Sequence, residues 1–372
     1  MELLLDEHQR LLEDSASRLC RDLGGLLRVR SLQDADEQVD RSAWKALTQA
    51  GWSGLLVPET AGGMGLGAVE LFLVQAEIGR QDVRVPIMSV AVAARELALG
   101  SGDAACEALS GALDGTLLVL PCIHGAGTPH APAGALPRAR RLGDQLCLQG
   151  RHLAVPGVAV ADRLLVAAQA IDGSHLLCVI PPDAVRLAIH TRRTIDGASI
   201  SDVTFDDVMV PAGGIVTEGA GAGLAMARIH AALTLAVSAE LLGLGEAVME
   251  LLLTQLTRRE QFGRPIGAFQ ALQHRAVDGF ITLELLRSLA FRVARAIDRS
   301  SEHPAMLPAL KAKAGRGVLS LTRLTMQVHG AMGYAAEHDI GLRYKRALSL
   351  SALHGGDAYQ FERFSEIAGG LP

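Results

Sequence analysis

Apolar residues recur at helical spacing in the first and last thirds of the chain, with a different pattern between them. From about 1 to 118 and from about 217 to 372, apolar residues return every three or four positions, which predicts amphipathic helices. Between about 119 and 216 they form short Val-, Leu- and Ile-rich runs bounded by Gly, Pro and Asp, which is typical of strands. We therefore expect an α+β protein with an N-terminal helical domain (1–118), a middle antiparallel β domain (119–216) and a C-terminal four-helix bundle (217–372).

Several elements are distinct enough to predict individually. The predicted helices cover about Ala68–Ile78, Leu224–Leu256 and Leu307–Leu324, and another begins near Asp40–Leu47 with an Asp or Ser cap. The strand-sized runs are Leu117–Leu120, Gln145–Leu148, Arg163–Ala168, His175–Ile180, Val185–Ile189 and Asp202–Phe205. Turn signals such as Asp-Gly separate several of these runs, which favours antiparallel neighbours.

Composition narrows the class of protein. The chain has 372 residues, of which 49% are hydrophobic and 20% charged, so it can bury substantial cores. A net charge of −5 gives no support for nucleic-acid binding. The five cysteines are scattered without close pairs, which suits reduced thiols and predicts no metal site. The acidic N-terminus is unlike a signal peptide and no long apolar run lacks charge, so we expect a cytoplasmic protein without a membrane partner.

The segment 258–270 combines helix breakers with groups suited to a nucleotide. Gly263, Pro265 and Gly267 are three breakers in five residues, so the preceding helix must end here before apolar periodicity resumes. Arginines, a phenylalanine and glutamines surround the expected turn and offer cations for phosphate, an aromatic face for stacking and amides for hydrogen bonds. The simpler interpretation is a solvated turn with ordinary surface charge.

Three motifs resemble the acyl-CoA dehydrogenase family of flavoproteins. The segment from Arg259 to Gln270 reads Arg-x-Gln-Phe-Gly-x-Pro-Ile-x-x-Phe-Gln, and Gln327–Tyr334 is similar to the family's Gln-x-x-Gly-Gly-x-Gly-Tyr segment. A third block lies near the N-terminus, with Gly51–Glu59 followed by Gly62–Leu66. The resemblance implies an acyl-CoA substrate, FAD, a tetramer and an electron-transfer flavoprotein as electron acceptor.

The family's flavin contacts are only partly retained. By resemblance, Arg259 contacts the pyrophosphate, and Phe262, Phe269 and Gln270 pack or bond around the adenylate half. The resemblance also implies that Gln327, Val328 and Gly330 contact the flavin from a neighbouring subunit.

The ring side of the flavin site departs from the family. Cys122–His130 replaces the usual Thr-Glu-x-x-x-Gly-Ser-Asp motif, and Ala154–Pro156 replaces Trp-Ile-Thr. Both ring-contacting side chains of Trp-Ile-Thr are therefore lost, and backbone amides are the remaining substitute.

Neither usual catalytic carboxylate is present. The family's Glu-Gly-Thr run aligns with His354-Gly355-Gly356, which puts Gly355 and Gly356 beside the flavin, and the alternative base position on the long helix is Leu233. His354 could serve as the base, because imidazole titrates near neutral pH. The preferred interpretation is a polar residue at a vestigial site, and the same holds for His230.

Two acids and one substituted segment lie near these positions in the sequence. Asp357 and Glu240 are acids nearby in sequence, but no sequence feature indicates that either faces the substrate. Tyr344–Ala347 stands where the family more often shows an Arg-Asp pair.

Three functions follow as hypotheses. The first is an acyl-CoA dehydrogenase that transfers hydride from an acyl-CoA thioester to FAD, within a homotetramer. The second is a non-catalytic subunit that completes the FAD site of a related, glutamate-bearing chain in a heterotetramer. The third, a flavin-free acyl-CoA-binding or scaffold protein, is the least favoured because it gives the 258–270 motif no role.

Overall fold

The computed structural model describes residues 5–125, 135–299 and 305–369. Its N-terminal helices are α1 (Glu7–Leu23), α2 (Leu26–Asp34), α3 (Arg41–Gln49), α4 (Ala68–Arg80), α5 (Ile87–Leu99) and α6 (Asp103–Asp114). The strands that follow are β1 (Val119–Cys122), β2 (Arg138–Leu142), β3 (Gln145–Pro156), β4 (Arg163–Ala170), β5 (His175–Ile180), β6 (Leu187–Arg193), β7 (Ser199–Val210) and β8 (Ile215–Glu218). The C-terminal elements are α7 (Ala220–Arg258), β9 (Glu260–Gln261), β10 (Arg264–Pro265), α8 (Gln270–Asp298), α9 (Met306–His329), α10 (Asp339–Ala352) and α11 (Asp357–Ile367).

The helix, strand and helix order confirms the predicted fold class. The predicted helices are present, and α4, α7 and α9 each extend a few residues beyond the predicted ends. Asp40 caps α3 as expected, because its carboxylate accepts a hydrogen bond from the Ala43 amide at 2.9 Å. The sequence therefore predicts the identity of these elements better than their ends.

The sheet is mixed, so the predicted purely antiparallel domain is wrong in this detail. Its strand order is β6-β7-β3-β2-β4-β5-β8, and β1 also pairs with β4. Both β1 and β2 run parallel to β4, end to end along one of its edges: β1 pairs with Arg163–Val166 and β2 with Gln169–Ala170. The other pairings are antiparallel. An apolar run predicts a strand but does not specify the direction of its neighbour.

The chain forms two compact units whose parts are not contiguous in sequence. One unit comprises 1–31, 68–83 and 234–372, and the other comprises 32–67 and 84–233. Helix α4 therefore belongs with the C-terminal helices, whereas α3, α5 and α6 belong with the sheet. The domain boundaries at 118 and 216 stay a prediction.

Close backbone contact between α4 and α7 organises the first unit. A Cβ added at Gly79 would lie 2.2 Å from the Glu240 carbonyl oxygen, and one added at Gly243 would lie 1.8 Å from that of Ala76. Only glycine permits this approach of two helix backbones. About one helical turn before Ala76 on α4, Phe72 packs edge-on against Phe291 of α8, with ring centroids 4.9 Å apart.

The core of the second unit is centred on β4 and β7. Leu164, Val166 and the residues between and after them up to Ala168 are completely buried, so β4 is covered on both faces. In β7, burial alternates through Ser201, Val203 and Phe205, as expected for a strand with one face on the core.

Helix α7 is the one helix of the described residues that is long and apolar enough to cross a membrane. Its most apolar window has a mean hydropathy of 1.5, and 89% of that window is buried inside the protein. Burial within the fold therefore accounts for its composition.

Candidate functional site

The segment after α7 forms the predicted turn. Strands β9 and β10 pair through Gln261 and Arg264, and the two residues between them, Phe262 and Gly263, have φ of 53° and 75°. Positive φ at both central positions is typical of a tight type I′ hairpin. A buried Ile266, whose amide donates to the Arg259 carbonyl at 2.8 Å, anchors the hairpin to the unit.

Aromatic and cationic groups meet at the tip of this hairpin. The Phe262 side chain is 91% exposed, and its ring stands edge-on to Phe269, with centroids 6.1 Å apart. The Arg264 guanidinium lies 4.3 Å from the centroid of the Phe269 ring. The surface thus presents an open aromatic face beside a cation, and Gln270 lies exposed at the start of α8.

Arg259 links the hairpin to the end of α9. Its Nη1 donates to the His329 carbonyl at 3.0 Å, and a Cβ added at Gly330 would lie 3.5 Å from the same nitrogen. On the exposed side, Gln327 Oε1 accepts from Arg275 Nη1 at 3.4 Å. The structure therefore places Arg259 against the end of α9 at His329 and Gly330, and places the Gln327 side chain against Arg275.

Two residues of the α9 end point into the protein instead. Val328 is 9% exposed, which leaves its backbone rather than its side chain for a ligand. His329 is buried, its Nδ1 lies 2.7 Å from the Thr325 carbonyl oxygen, and its ring packs edge-on against His338 at 4.6 Å. Burial, with the nearby His338 and Arg259, lowers the pKa of His329. A neutral His329 leaves Arg259 as the nearby cation.

The predicted base position lies in a sharp turn between α10 and α11. His354 has a φ of 53° and Gly355 a φ of 96°, and both are buried. The His354 carbonyl accepts a hydrogen bond from Gln360 Nε2 at 2.5 Å. A Cβ at Gly355 would lie 2.2 Å from the Tyr359 ring, whereas one at Gly356 would meet open space. The positive φ and the close Tyr359 ring thus require a glycine at position 355, whereas position 356 has room for a side chain.

A buried lysine lies beneath this turn. Lys311 of α9 is 1% exposed, and its Nζ donates to the carbonyls of Ser351 at 2.8 Å and Gly355 at 3.2 Å. Burial lowers the pKa of Lys311 to about 7, partly opposed by the negative charge of Asp357. Lys311 is not among the residues predicted from the sequence, although a lysine in the apolar stripe of a helix is a signal for such a buried group.

The acids near the usual base positions are engaged elsewhere. Glu240 accepts hydrogen bonds from Arg346 Nε and Gln75 Nε2, both at 2.8 Å. Asp357 is exposed and lies 3.5 Å from Arg316. Leu233, the alternative base position, is 6% exposed in α7. Of these positions, Glu240 is engaged in helix packing, Leu233 has no carboxylate, and Asp357 lies at the exposed surface beside Arg316.

The segment that replaces Trp-Ile-Thr is irregular. The β3–β7 register shifts between His152 and Val155, and Ala154 there has a φ of 53°. The Ala154 amide donates to the Asp202 carboxylate at 2.9 Å, and Asp202 also pairs with Arg192 at 2.7 and 2.9 Å. Arg192 above all lowers the pKa of Asp202, so this acceptor stays ionised. The Ala154 amide is therefore not available to replace the lost flavin contacts.

His152 holds this irregular segment in place. It is completely buried, with Nδ1 2.7 Å from the His124 carbonyl oxygen and Nε2 2.9 Å from that of Ala167. Burial lowers the pKa of His152 to about 4 against the opposing effect of both carbonyls. Most of the segment predicted to replace Thr-Glu-x-x-x-Gly-Ser-Asp, from Ala126 to His130, lies outside the described residues.

Metal ligation and disulfide bonding are not features of the described residues. No group of three or more His, Cys, Asp or Glu side chains that could hold a metal ion occurs among them. All five cysteines are free thiols.

Two models of one protein family match the chain. The model described as the acyl-CoA dehydrogenase N-terminal domain matches residues 6–108, and that of the C-terminal domain matches residues 219–368. The chain therefore belongs to the acyl-CoA dehydrogenase family. It is of acyl-CoA dehydrogenase type, a class of flavoprotein oxidoreductases, and this confirms the resemblance read from the motifs.

Individual relatives support the same assignment. The chain is 29% identical to the 3-sulfinopropanoyl-CoA desulfinase of Paraburkholderia xenovorans, over 99% of this chain and 96% of that protein. It is 28% identical to the acyl-CoA dehydrogenase FadE27 of Mycobacterium tuberculosis, over 94% of this chain and 96% of the relative. A solved structure named Tcur3481-Tcur3483 steroid ACAD matches with a TM-score of 0.88 and 26% identity, covering 97% of this chain and 98% of that one.

Proposed function

We propose that the chain takes part in the α,β-dehydrogenation of an acyl-CoA thioester, with FAD as cofactor. The observation that carries this proposal is the contact of Arg259 in the hairpin with the end of α9 at His329 and Gly330, where Gln327 accepts from Arg275. Guanidinium groups, an exposed aromatic ring and amides are the groups that a dinucleotide's pyrophosphate and adenine require. The relatives named for CoA thioesters support the same ligand class.

The residues of the chain fit one half of FAD better than the other. Arg259 would neutralise the pyrophosphate, and Phe262, Phe269 and Gln270 would pack or bond around the adenylate half. On the ring side, Gly355 and Gly356 offer backbone only, and the segment at Ala154–Pro156 has lost its ring-contacting side chains. Bound FAD supplies the hydride acceptor of the reaction, whereas this chain supplies its binding and orientation.

The proton of the reaction needs a base. In this chain His354 takes the position of the family's glutamate, and imidazole can accept a proton near neutral pH. A chain that acts alone would use His354, since Glu240 is held by Arg346 and Gln75.

A second candidate function is a non-catalytic subunit of a heteromeric acyl-CoA dehydrogenase. It is supported by the engaged acids and by the Ala154 amide that already donates to Asp202. In this arrangement the chain contributes adenylate-side contacts, and a related chain with the glutamate performs the chemistry. The steroid ACAD structure, whose name joins two proteins, supports heteromeric assembly.

An exposed apolar face supports assembly of either kind. Helix α8 exposes Val277, Phe280, Ile281 and Leu285 at helical spacing, each about half exposed or more. Such a contiguous face is typical of an interface. We propose a homotetramer or a heterotetramer, an electron-transfer flavoprotein as electron acceptor, and a cytoplasmic location that suits the free cysteines.

Native mass and flavin content distinguish the two functions. The protein is expressed alone, and also with a glutamate-bearing homologue from its own genome, and each sample is analysed by native mass spectrometry and flavin absorbance. Anaerobic bleaching is then followed with short-chain, branched and steroid side-chain acyl-CoA thioesters. Catalysis by this chain predicts a yellow homotetramer with one flavin per chain that is bleached by at least one thioester.

Two other outcomes would identify the partner function or contradict both functions. A chain that is flavin-poor alone but forms a yellow, bleachable mixed complex identifies the partner function. A protein that binds no flavin alone or in the mixed complex contradicts both functions.

A further inference from the structure

The turn after α10 is held by a side chain that lies outside the motifs described above. Lys311 lies on a different helix, α9, and reaches the turn from the protein interior. Its ammonium group donates to the Ser351 carbonyl in the last turn of α10 and to the Gly355 carbonyl beyond it. One group thus bridges both ends of the turn that contains His354.

The turn needs such a restraint. His354 is a non-glycine residue in the left-handed region, which strains its backbone. The carbonyls at a helix C-terminus lack partners within the helix and carry partial negative charge, so a cation is favourable there. Lys311 supplies both the restraint and the cation, and Gln360 Nε2 donates a further hydrogen bond to the His354 carbonyl.

Burial of a lysine only to make a structural hydrogen bond is energetically unfavourable. Burying an ammonium group without a carboxylate in direct contact is unfavourable, and an apolar residue of similar length would pack more cheaply. The negative charge that acts on Lys311 comes from Asp357 at the start of α11, which also pairs with Arg316. The interaction is therefore better explained by the geometry it imposes on the turn.

We propose that Lys311 is a positioning residue that fixes the turn 351–356 and thereby the placement of His354 and Gly356 at the acyl-CoA site. It acts through the backbone and does not touch substrate. This inference rests on the proposed function for the role of the turn, but its structural half can be measured independently. With His354 and Gly356 in place of the family's glutamate and threonine, the backbone of this turn is what remains of that motif.

The test compares three single substitutions. Lys311→Met removes the donor at nearly constant length, Lys311→Arg keeps a cationic donor, and Lys313→Met removes an exposed lysine from the same helix as a control. Amide hydrogen exchange is followed by mass spectrometry on the peptide that covers 350–357. We expect at least about tenfold faster exchange at 353–356 in Lys311→Met, partial rescue by Lys311→Arg and no change in Lys313→Met.

The functional half is measured in whichever assembly is yellow. Lys311→Met is expected to keep its flavin content and acyl-CoA affinity but to slow anaerobic bleaching by about tenfold or more, because small displacements of a site reduce the rate strongly. Unchanged exchange at 353–356, or equally faster exchange throughout α9 and α10, would overturn the proposal. So would faster exchange at the turn with an unchanged bleaching rate.

The proposal can still be tested if the Lys311→Met variant does not fold or if no thioester bleaches the flavin. If Lys311→Met is not recovered folded, Lys311→Gln, which retains an amide donor, is compared with Lys311→Arg by the same measurements. If no thioester bleaches any wild-type assembly, the proposed function fails, whereas the exchange experiment still reports whether Lys311 holds the turn.

Discussion

Arg346 of α10 donates from Nε to the Glu240 carboxylate of α7 at 2.8 Å, and the two side chains are 16% and 11% exposed. Where the family more often shows an Arg-Asp pair, this chain therefore has a cation whose carboxylate lies on another helix. Gln75 of α4 completes the cluster with a hydrogen bond to the second oxygen of Glu240. The acid that lies nearest in sequence to the usual base position on α7 is thus part of the helix packing.

Breaking this pair is expected to destabilise the fold rather than the chemistry. Glu240→Leu removes the carboxylate from a largely buried guanidinium and should reduce the free energy of unfolding by about 3 kcal/mol. The double variant Glu240→Leu/Arg346→Leu should recover most of that loss. Denaturant titrations of the three proteins measure this, and a double variant no more stable than the single one would contradict the pairing.

Loss of the Arg259 guanidinium should weaken flavin binding. Arg259→Ala is expected to raise the FAD dissociation constant by about 10- to 100-fold, the effect of removing one charged hydrogen bond. Fluorescence quenching of FAD titrated with apoprotein measures it. Arg258→Ala, at the exposed neighbouring position, is the control and should bind FAD like the wild type. Equal affinity of the two variants would argue against a role for Arg259.

His354 can be tested without disturbing its backbone. Asparagine tolerates left-handed φ better than most residues, so His354→Asn removes the imidazole at little conformational cost. If His354 is the base, this variant should lose anaerobic bleaching by about 100-fold or more at unchanged flavin content. Bleaching at the wild-type rate would eliminate that role and leave the partner chain as the source of the base.

The titration of Lys311 should appear in stability measurements. Its pKa is about 7 in the folded protein and near 10.5 when unfolded, so the unfolded state binds more protons between these values. Wild-type stability should therefore rise relative to Lys311→Met as pH increases through this window, by at most about 1.4 kcal/mol per pH unit. Below about pH 7 the difference should be constant. Denaturation midpoints at pH 6, 8 and 9.5 provide the test, and parallel pH profiles would contradict it.

The apolar face of α8 should control assembly. Phe280 is 55% exposed, and Phe280→Asp places a charge in the middle of that face. We expect a lower native mass with unchanged secondary structure, since burying an unpaired carboxylate opposes association. Arg292→Asp, an exposed position on the same helix, is the matched control. Native mass spectrometry and circular dichroism follow both, and an unchanged mass for Phe280→Asp would place the interface elsewhere.

Periodic apolar patterns predict most of the helices and strands, whereas a strand made mostly of charged residues carries no such pattern. Helix α7 and strand β5 were predicted because their apolar residues follow the expected spacing. Strand β2 was missed because it reads Arg-Ala-Arg-Arg-Leu, with only Ala139 buried. Strand β8 was missed as well, since its four residues follow directly on a Pro- and Gly-rich segment.

Contacts between residues that lie far apart in the chain cannot be predicted from local sequence patterns. The turn within 259–265 was predicted because its breakers are local, whereas its two short strands were not, and the resemblance to a family motif supplied the chemistry. The pairing of Glu240 with Arg346 spans 106 positions, and that of Lys311 with Gly355 spans 44. No local pattern encodes such partners, so the engagement of Glu240 and the role of Lys311 emerge only from the fold.

The bond between Arg259 and the His329 carbonyl has a consequence for ligand affinity. An arginine that is already immobilised loses less rotamer entropy when a ligand arrives, and a free arginine side chain carries about 2 kcal/mol of such entropy. The hairpin cation is therefore preorganised by the last turn of α9. Any change that frays that turn should weaken an anionic ligand even though it leaves the arginine itself intact.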